Sequence, residues 1–176
     1  MDKVLVSQLL HTIRVVPDYP TQGIRFQDIT PVLADPGLFA RVITDMAQPF
    51  EGLGITHVVG IEARGFILAG PIAIRLGAGF VPIRKAGKLP WKSLRREYAL
   101  EYGLNVVEAH EDALGHGSRA IVVDDVLATG GTAHAAAGLA RELGTNLQGW
   151  SFLLEIGGLG GRERLAGAPI HVTATV

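Results

Sequence analysis

Apolar residues recur along this chain with two periods, and segments of the two kinds alternate. Leu5, Leu9 and Ile13 stand four residues apart, the spacing of one face of a short amphipathic helix. Residues 17–31 carry Pro17, Pro20, Gly23 and Pro31 among apolar neighbours and predict an ordered but irregular arm. Asp35 before Pro36 reads as an N-cap with proline at the first helical position. Leu38, Phe39, Val42, Ile43, Met46 and Phe50 then make a buried face, and Gly52 follows the end of the helix. Beyond it, strands are expected at 57–61, 80–83, 119–123 and 149–154. Helices are expected at 66–76, closed by Gly77, and at 132–143, closed by Gly144. Strands that are apolar without interruption, separated by helices, predict an α/β fold with a central parallel sheet flanked by helices. Right-handed crossovers put the strand ends that lead into helices on one edge, where open sheets of this kind bind ligands.

One region breaks the alternation. Residues 94–102 read as a strand with Tyr98, Leu100 and Tyr102 on one side, and 106–109 can pair with it across Gly103, Leu104 and Asn105. The basic stretch RKAGKLPWK precedes this pair. The pattern fits a flexible β-hairpin lid inserted between two parallel strands, and it equally fits a plain surface hairpin.

Composition narrows the function classes. A chain of 176 residues suits one domain, 1–176, with a real core. Its 16 Lys+Arg nearly cancel its 17 Asp+Glu, so long-range attraction to nucleic acid or an anionic membrane is not expected. Without cysteine there are no disulfides, thiolate metal sites or cysteine nucleophiles. The first residues mix Asp2, Lys3, Gln8, His11 and Arg14 into their apolar positions, unlike a signal peptide, and no window approaches the roughly 20 apolar residues of a membrane span. A cytoplasmic protein is expected.

Chemistry concentrates in AIVVDDVLATGGT, residues 120–132. An apolar run ends in Asp124 and Asp125, and a short loop through Ala128, Thr129, Gly130 and Gly131 opens a helix at Thr132. The glycines let main-chain N–H groups converge on one point, the helix start adds partial positive charge, and the threonines add hydroxyl donors. Such a cradle suits one phosphate, and the two carboxylates suit the neighbouring hydroxyls of a ribose. Other readings remain open: a glycine turn made only for close packing, or two acids that hold a metal. The lysine of a nucleoside-triphosphate loop is missing. None of the six histidines has metal-ligand spacing, and GGLGG at 157–161 reads as a flexible turn before a final helix.

At this point the chain resembles the type I phosphoribosyltransferases. FQDITPVL at 26–33, EARGF at 62–66, IRKAGKLP at 83–90 and LEYG at 100–103 narrow the resemblance to their adenine-specific family. The resemblance implies a hood arm over the base, 1–34, and a basic stretch with hairpin lid, 84–109. It implies that Ala63 and Arg64, across a cis Glu62–Ala63 peptide, meet pyrophosphate together with Arg84, Lys85 and Lys88. Glu101 then resembles the lid's general acid/base and Tyr102 the tyrosine that closes on substrate. Ile24, Phe26, Gln27 and Ile156 would surround the base, with main-chain groups near Gln27 reading its amino edge. Some relatives carry arginine at the position of Gln27. Asp124, Asp125 and residues Ala128 to Thr132 would hold ribose and its 5′-phosphate.

The implied partners are phosphoribosyl pyrophosphate, adenine, AMP and pyrophosphate, in a homodimer. Mg²⁺ is expected to arrive with the donor, not on direct protein ligands. Transfer to another purine base, or a non-catalytic sensor of phosphoribosyl pyrophosphate on the same fold, are the alternatives.

Overall fold

The computed structural model describes residues 2–99, 104–165 and 167–176. The chain opens with α1 (Lys3–Thr12), capped by the Asp2 carboxylate, which accepts from the N–H groups of Val4 and Leu5. Leu5 and Leu9 are its buried face, with Ile13 just past its end. The arm that follows is more regular than expected: β1 (Arg14–Pro17) and β2 (Arg25–Asp28) pair antiparallel. Prolines do not prevent this, because Pro17 ends its strand and Pro20 lies in the connection. After the short α2 (Thr30–Ala34) comes α3 (Pro36–Ala47), with Asp35 Oδ1 accepting from Gly37 N and Leu38 N at 2.9 Å each.

The central sheet is built from β3 (His57–Ile61), β4 (Gly79–Lys85), β5 (Ser93–Ala99), β6 (Leu104–His110), β7 (Arg119–Leu127), β8 (Asn146–Glu155) and β9 (Ile170–Thr175). Their order is β5-β6-β4-β3-β7-β8-β9. The pairs β3–β4, β3–β7, β7–β8 and β8–β9 are parallel, whereas β4–β6 and β5–β6 are antiparallel. The helices α4 (Arg64–Leu76), α5 (Gly131–Glu142) and α6 (Gly161–Arg164) lie in the connections.

Neighbouring strand residues go to opposite faces. Val58, Ile121, Val123 and Leu153 meet α1, α3 and α4 through Leu9, Val42, Met46, Leu68 and Ile72. Val59, Val122, Trp150 and Phe152 meet Ala136, Leu139 and Ala140 of α5. Two covered faces explain why the strands read as unbroken apolar runs. Each large side chain buried here contributes about 1.5–3 kcal/mol, so Ile72→Ala would cost about 2–5 kcal/mol once the cavity it leaves is included.

Several elements depart from the pattern along the chain. β7 runs to Leu127, four residues beyond the apolar run, because β8 continues to pair with it through Leu127↔Glu155. α4 starts at Arg64, before its first apolar residue. The final helix is a single turn, and the closing strand β9 was not assigned from the pattern.

Candidate active site

Three segments meet at the carboxyl ends of β3, β4 and β7. The first joins β3 to α4. Its Glu62–Ala63 peptide is cis, and Arg64 opens the helix. Gly65 follows so close to the end of β7 that a Cβ there would sit 2.8 Å from Asp124 Oδ1 and 3.0 Å from the Val123 carbonyl oxygen. Only glycine lets the start of α4 approach this strand.

The second segment is the end of β7 with the loop into α5. Asp124 and Asp125 lie within the strand rather than beyond it, so their side chains leave on alternate faces. Asp125 is 5% exposed, and its Oδ2 lies 2.7 Å from Arg64 Nε. Burial, reinforced by the negative charge of Asp125, raises the Asp124 carboxyl well above its usual range, and the Asp125 N–H donated to Asp124 Oδ1 at 2.9 Å offsets only part of this. Ala128 and exposed Thr129 lead to Gly130, whose φ of 73° turns the chain into α5 at Gly131. Gly161 backs the loop so closely that any side chain there would collide with the Ala128 carbonyl.

The third segment carries the cations, and the structure gathers them around an acid. Glu62 accepts from Lys88 Nζ at 2.7 Å, from Arg84 Nε and Nη2 at 3.3 Å each, and from Lys85 N at 3.0 Å. Burial would raise its pKa, but the donors from Lys88, Arg84 and Lys85 outweigh that and bring it to about 2. Behind them Glu108, 0% exposed, accepts from Lys88 N at 2.8 Å, Leu89 N at 3.0 Å, Ser93 Oγ at 3.2 Å and Arg95 Nε at 3.1 Å. Here too burial opposes ionisation, and the N–H groups of Leu89, Gly87 and Lys88 with the Ser93 hydroxyl lower its pKa to about 2. Glu108 therefore holds the 87–89 turn against the base of the hairpin.

Beside these segments lies a mostly apolar cavity of about 750 Å³. Ile24, Phe26, Gln27 and Ile156 line it together, joined by Arg64 and Ala128. Phe26 is fixed by an edge contact from Tyr19, with ring centres 5.2 Å apart, and Arg64 Cζ sits 4.9 Å from the centre of its ring. The Gln27 side chain bonds back to the Arg25 carbonyl at 3.2 Å. Arg84, Lys85, Lys88, the two acids and residues 129–132 stand outside the cavity wall. Arg64 bridges the two regions.

Glu101 and Tyr102 lie outside the described residues. Their hairpin is present as β5 and β6, paired from Ser93↔His110 onward. Among the described residues no group of three or more histidines or acids could hold a metal ion, and no helix is long and apolar enough to cross a membrane.

Glu62 and Glu108 were not singled out from the sequence. The signal for Glu108 was slight: an acid standing between Val107 and Ala109 must find donors once that strand is buried. The cavity also takes Leu10, Val15, Leu159 and Val176 from the two ends of the chain, and nothing local marks those positions.

The phosphoribosyl transferase domain family matches residues 30–146. The adenine phosphoribosyltransferase of Myxococcus xanthus is 58% identical over 164 residues, 93% of this chain and 89% of that protein. The crystal structure of the Rhodothermus marinus adenine phosphoribosyltransferase is 48% identical with a TM-score of 0.96, covering 99% of this chain and 100% of that one. The Saccharomyces cerevisiae enzyme, complexed with an imino-altritol bisphosphate and adenine, is 38% identical with a TM-score of 0.91, over 97% and 98% of the two chains.

Proposed function

Because this chain belongs to the adenine phosphoribosyltransferase family, we infer that it transfers the 5-phosphoribosyl group of phosphoribosyl pyrophosphate to adenine, giving AMP and pyrophosphate in purine salvage. One domain, 1–176, carries the reaction, with 1–34 as the arm over the base and 84–109 as the basic stretch and hairpin lid. The observation that carries this division of labour is the position of Arg64, 2.7 Å from Asp125 and in the wall of the apolar cavity. Phosphate, ribose and base thus have adjoining places along one edge of the sheet.

In the reaction the bond from C1 of the ribose to pyrophosphate breaks as the bond from C1 to the adenine nitrogen forms, with oxocarbenium character between the two. Asp124 and Asp125 accept from the ribose hydroxyls and set negative charge beside that cation. Main-chain N–H groups of Ala128, Thr129, Gly130, Gly131 and Thr132, with the two threonine hydroxyls, hold the 5′-phosphate. Ala63, Arg64, Arg84, Lys85 and Lys88 receive the departing pyrophosphate. Charge-assisted bonds of this kind contribute about 1.5–3 kcal/mol each. Adenine lies between Phe26 and Ile156 with Ile24 beside it. The Gln27 side chain is turned to its own main chain, which favours recognition through backbone atoms. Glu101 takes up the proton the base gives up and Tyr102 covers the site; general catalysis of this type gives about 10²–10⁴-fold.

Mg²⁺ would arrive as a companion of the diphosphate and not on direct protein ligands, and Asp124 and Asp125 would be the acids of this site that could accept from its bound water. When bound it neutralises charge on the leaving group. A cytoplasmic setting suits a charged donor and product that membranes retain. A homodimer is supported by α4, where Ile67 and Ile74, 44% and 84% exposed, stand seven residues apart on one stripe of the helix.

The test is to incubate the protein with phosphoribosyl pyrophosphate, Mg²⁺ and adenine and to follow AMP, with hypoxanthine and guanine in parallel. AMP formation is expected, with kcat falling about 10²–10⁴-fold in Glu101→Gln. Product from hypoxanthine or guanine alone overturns the base assignment, and an unchanged kcat overturns the role of Glu101.

A further inference from the structure

The hairpin is fastened to the phosphate loop. Strand β5 lies along α5, and two of its side chains make the contact. Arg96 rests on Gly138, where a Cβ would come within 2.6 Å of its Cζ, and its Nη1 is 3.6 Å from Glu142 Oε2. One pleat further on, Tyr98 reaches the first turn of the helix, where Thr132 Oγ1 donates to the Tyr98 hydroxyl at 3.2 Å. Asn105, on the opposing strand β6, approaches the same hydroxyl with Nδ2 at 3.5 Å. Tyr98 is therefore the point at which both strands of the hairpin and the start of α5 converge. The function assigned above does not use it.

We propose that Tyr98 is a positioning residue that couples occupancy of the 5′-phosphate cradle to the hairpin that carries Glu101. The inference rests on the phosphate assignment of Thr132 made above. A hydroxyl has one proton and two lone pairs. In the free protein the Thr132 proton points to Tyr98. A phosphate in the cradle accepts that proton, and rotation of the Thr132 hydroxyl turns one of its lone pairs toward Tyr98, where it accepts from the Tyr98 O–H. The result is a continuous chain from Tyr98 to Thr132 to phosphate, in which each bond polarises the next. The Tyr98–Thr132 bond is present in the free protein; the 5′-phosphate reverses it and makes it one link of a polarised chain, which tightens the hairpin on α5, and Glu101 lies three residues beyond Tyr98. Ligands without a 5′-phosphate, such as free adenine or pyrophosphate, leave the bond as it is in the free protein.

The probe is ribose 5-phosphate, with pyrophosphate as the control. Hydrogen exchange of the 93–110 segment is followed by mass spectrometry at saturating ligand, with binding measured by calorimetry. In the unaltered protein ribose 5-phosphate is expected to slow exchange across the hairpin more than pyrophosphate does. In Tyr98→Phe, which keeps the ring, ribose 5-phosphate still binds but no longer protects the segment. The KM for phosphoribosyl pyrophosphate rises about two- to tenfold, as for the loss of one ordinary hydrogen bond, while the KM for adenine holds. In Tyr98→Phe/Thr132→Val the combined effect is smaller than the product of the two single effects, because each change breaks the same chain. Equal protection in Tyr98→Phe, or strictly multiplicative effects in the double variant, would overturn the coupling while leaving the cradle intact. Failure of ribose 5-phosphate to bind the unaltered protein would remove the cradle assignment and this inference with it.

Discussion

Arg64 Nε stands 2.7 Å from Asp125 Oδ2, so the cation assigned to pyrophosphate and a carboxylate assigned to ribose hold each other before any substrate arrives. The pair is preorganised, since Asp125 is buried and Arg64 is anchored at the start of α4. Donor binding must satisfy both partners at once. Asp125→Asn should weaken phosphoribosyl pyrophosphate and AMP about ten- to hundredfold, as for the loss of a hydrogen bond to a charged group, with the fold retained. Steady-state kinetics and AMP titration check this, and unchanged affinity would mean that Asp125 does not hold ribose.

Asp124 makes the opposite kind of contribution to stability. Its carboxyl is raised in the folded protein by burial and by Asp125, so folding binds its proton more tightly than the unfolded chain does. Whatever it contributes is present at low pH and is lost as pH rises from the ordinary aspartate range through its raised folded value. At neutral pH, Asp124→Asn should therefore raise Tm, by about 2–4 °C per kcal/mol recovered, while activity falls. A thermal melt at pH 7 decides it; a lower Tm would show that the charged pair stabilises the fold.

Glu108 has the reverse sign. Its pKa falls from 4.5 to about 2 on folding, so its contribution is present above about pH 4.5 and is lost as pH drops toward 2. The magnitude is on the order of 3 kcal/mol. Glu108→Gln should destabilise the protein at pH 7, raise the KM for phosphoribosyl pyrophosphate by loosening the Lys88 turn, and differ little from the parent in stability near pH 2. Urea denaturation at the two pH values reads this. An equal deficit at both would locate the effect in packing and not in charge.

Gly65→Ala places a methyl group against Asp124 Oδ1 and the Val123 carbonyl. The neighbours here are the Val123 and Asp124 main chain and the Asp124 carboxylate, so the helix start must shift and a loss of about 1–3 kcal/mol is expected. Activity should fall further than stability alone explains, because the acid pair moves with the helix start. Full activity in a folded variant would show that the close approach is dispensable.

The α4 stripe predicts an assembly. Ile67→Arg with Ile74→Arg should convert a dimer into a monomer in analytical ultracentrifugation. A parent protein that is already monomeric would end the homodimer proposal.

Much of this architecture was legible along the chain. The unbroken apolar runs at 57–61 and 119–123 could only be strands covered on two faces, and Asp35-Pro36 and Gly77 punctuated their helices as local chemistry requires. The phosphate-suited turn at 128–132 was equally local, since glycine at a positive φ and a helix start are properties of neighbouring residues.

Tertiary structure decided what depends on distant partners. The strand through Asp124 and Asp125 is a strand because β8 pairs with it, and no residue between 124 and 127 announces that. Arg14 to Asp28 became a hairpin because main-chain groups 14 residues apart found each other. The basic stretch is held in place by Glu62, on the Lys88 ammonium, and Glu108, on the Lys88 main-chain N–H, acids 26 and 20 residues away from Lys88. The sequence by itself determined the apolar strands at 57–61 and 119–123, the helices punctuated by Asp35, Gly77 and Gly144, and the phosphate turn, since these follow from neighbouring side chains. Only the folded sheet could bring Arg64 to Asp125 and Tyr98 to Thr132, because burial and charge pairing act through space, whatever the separation along the chain.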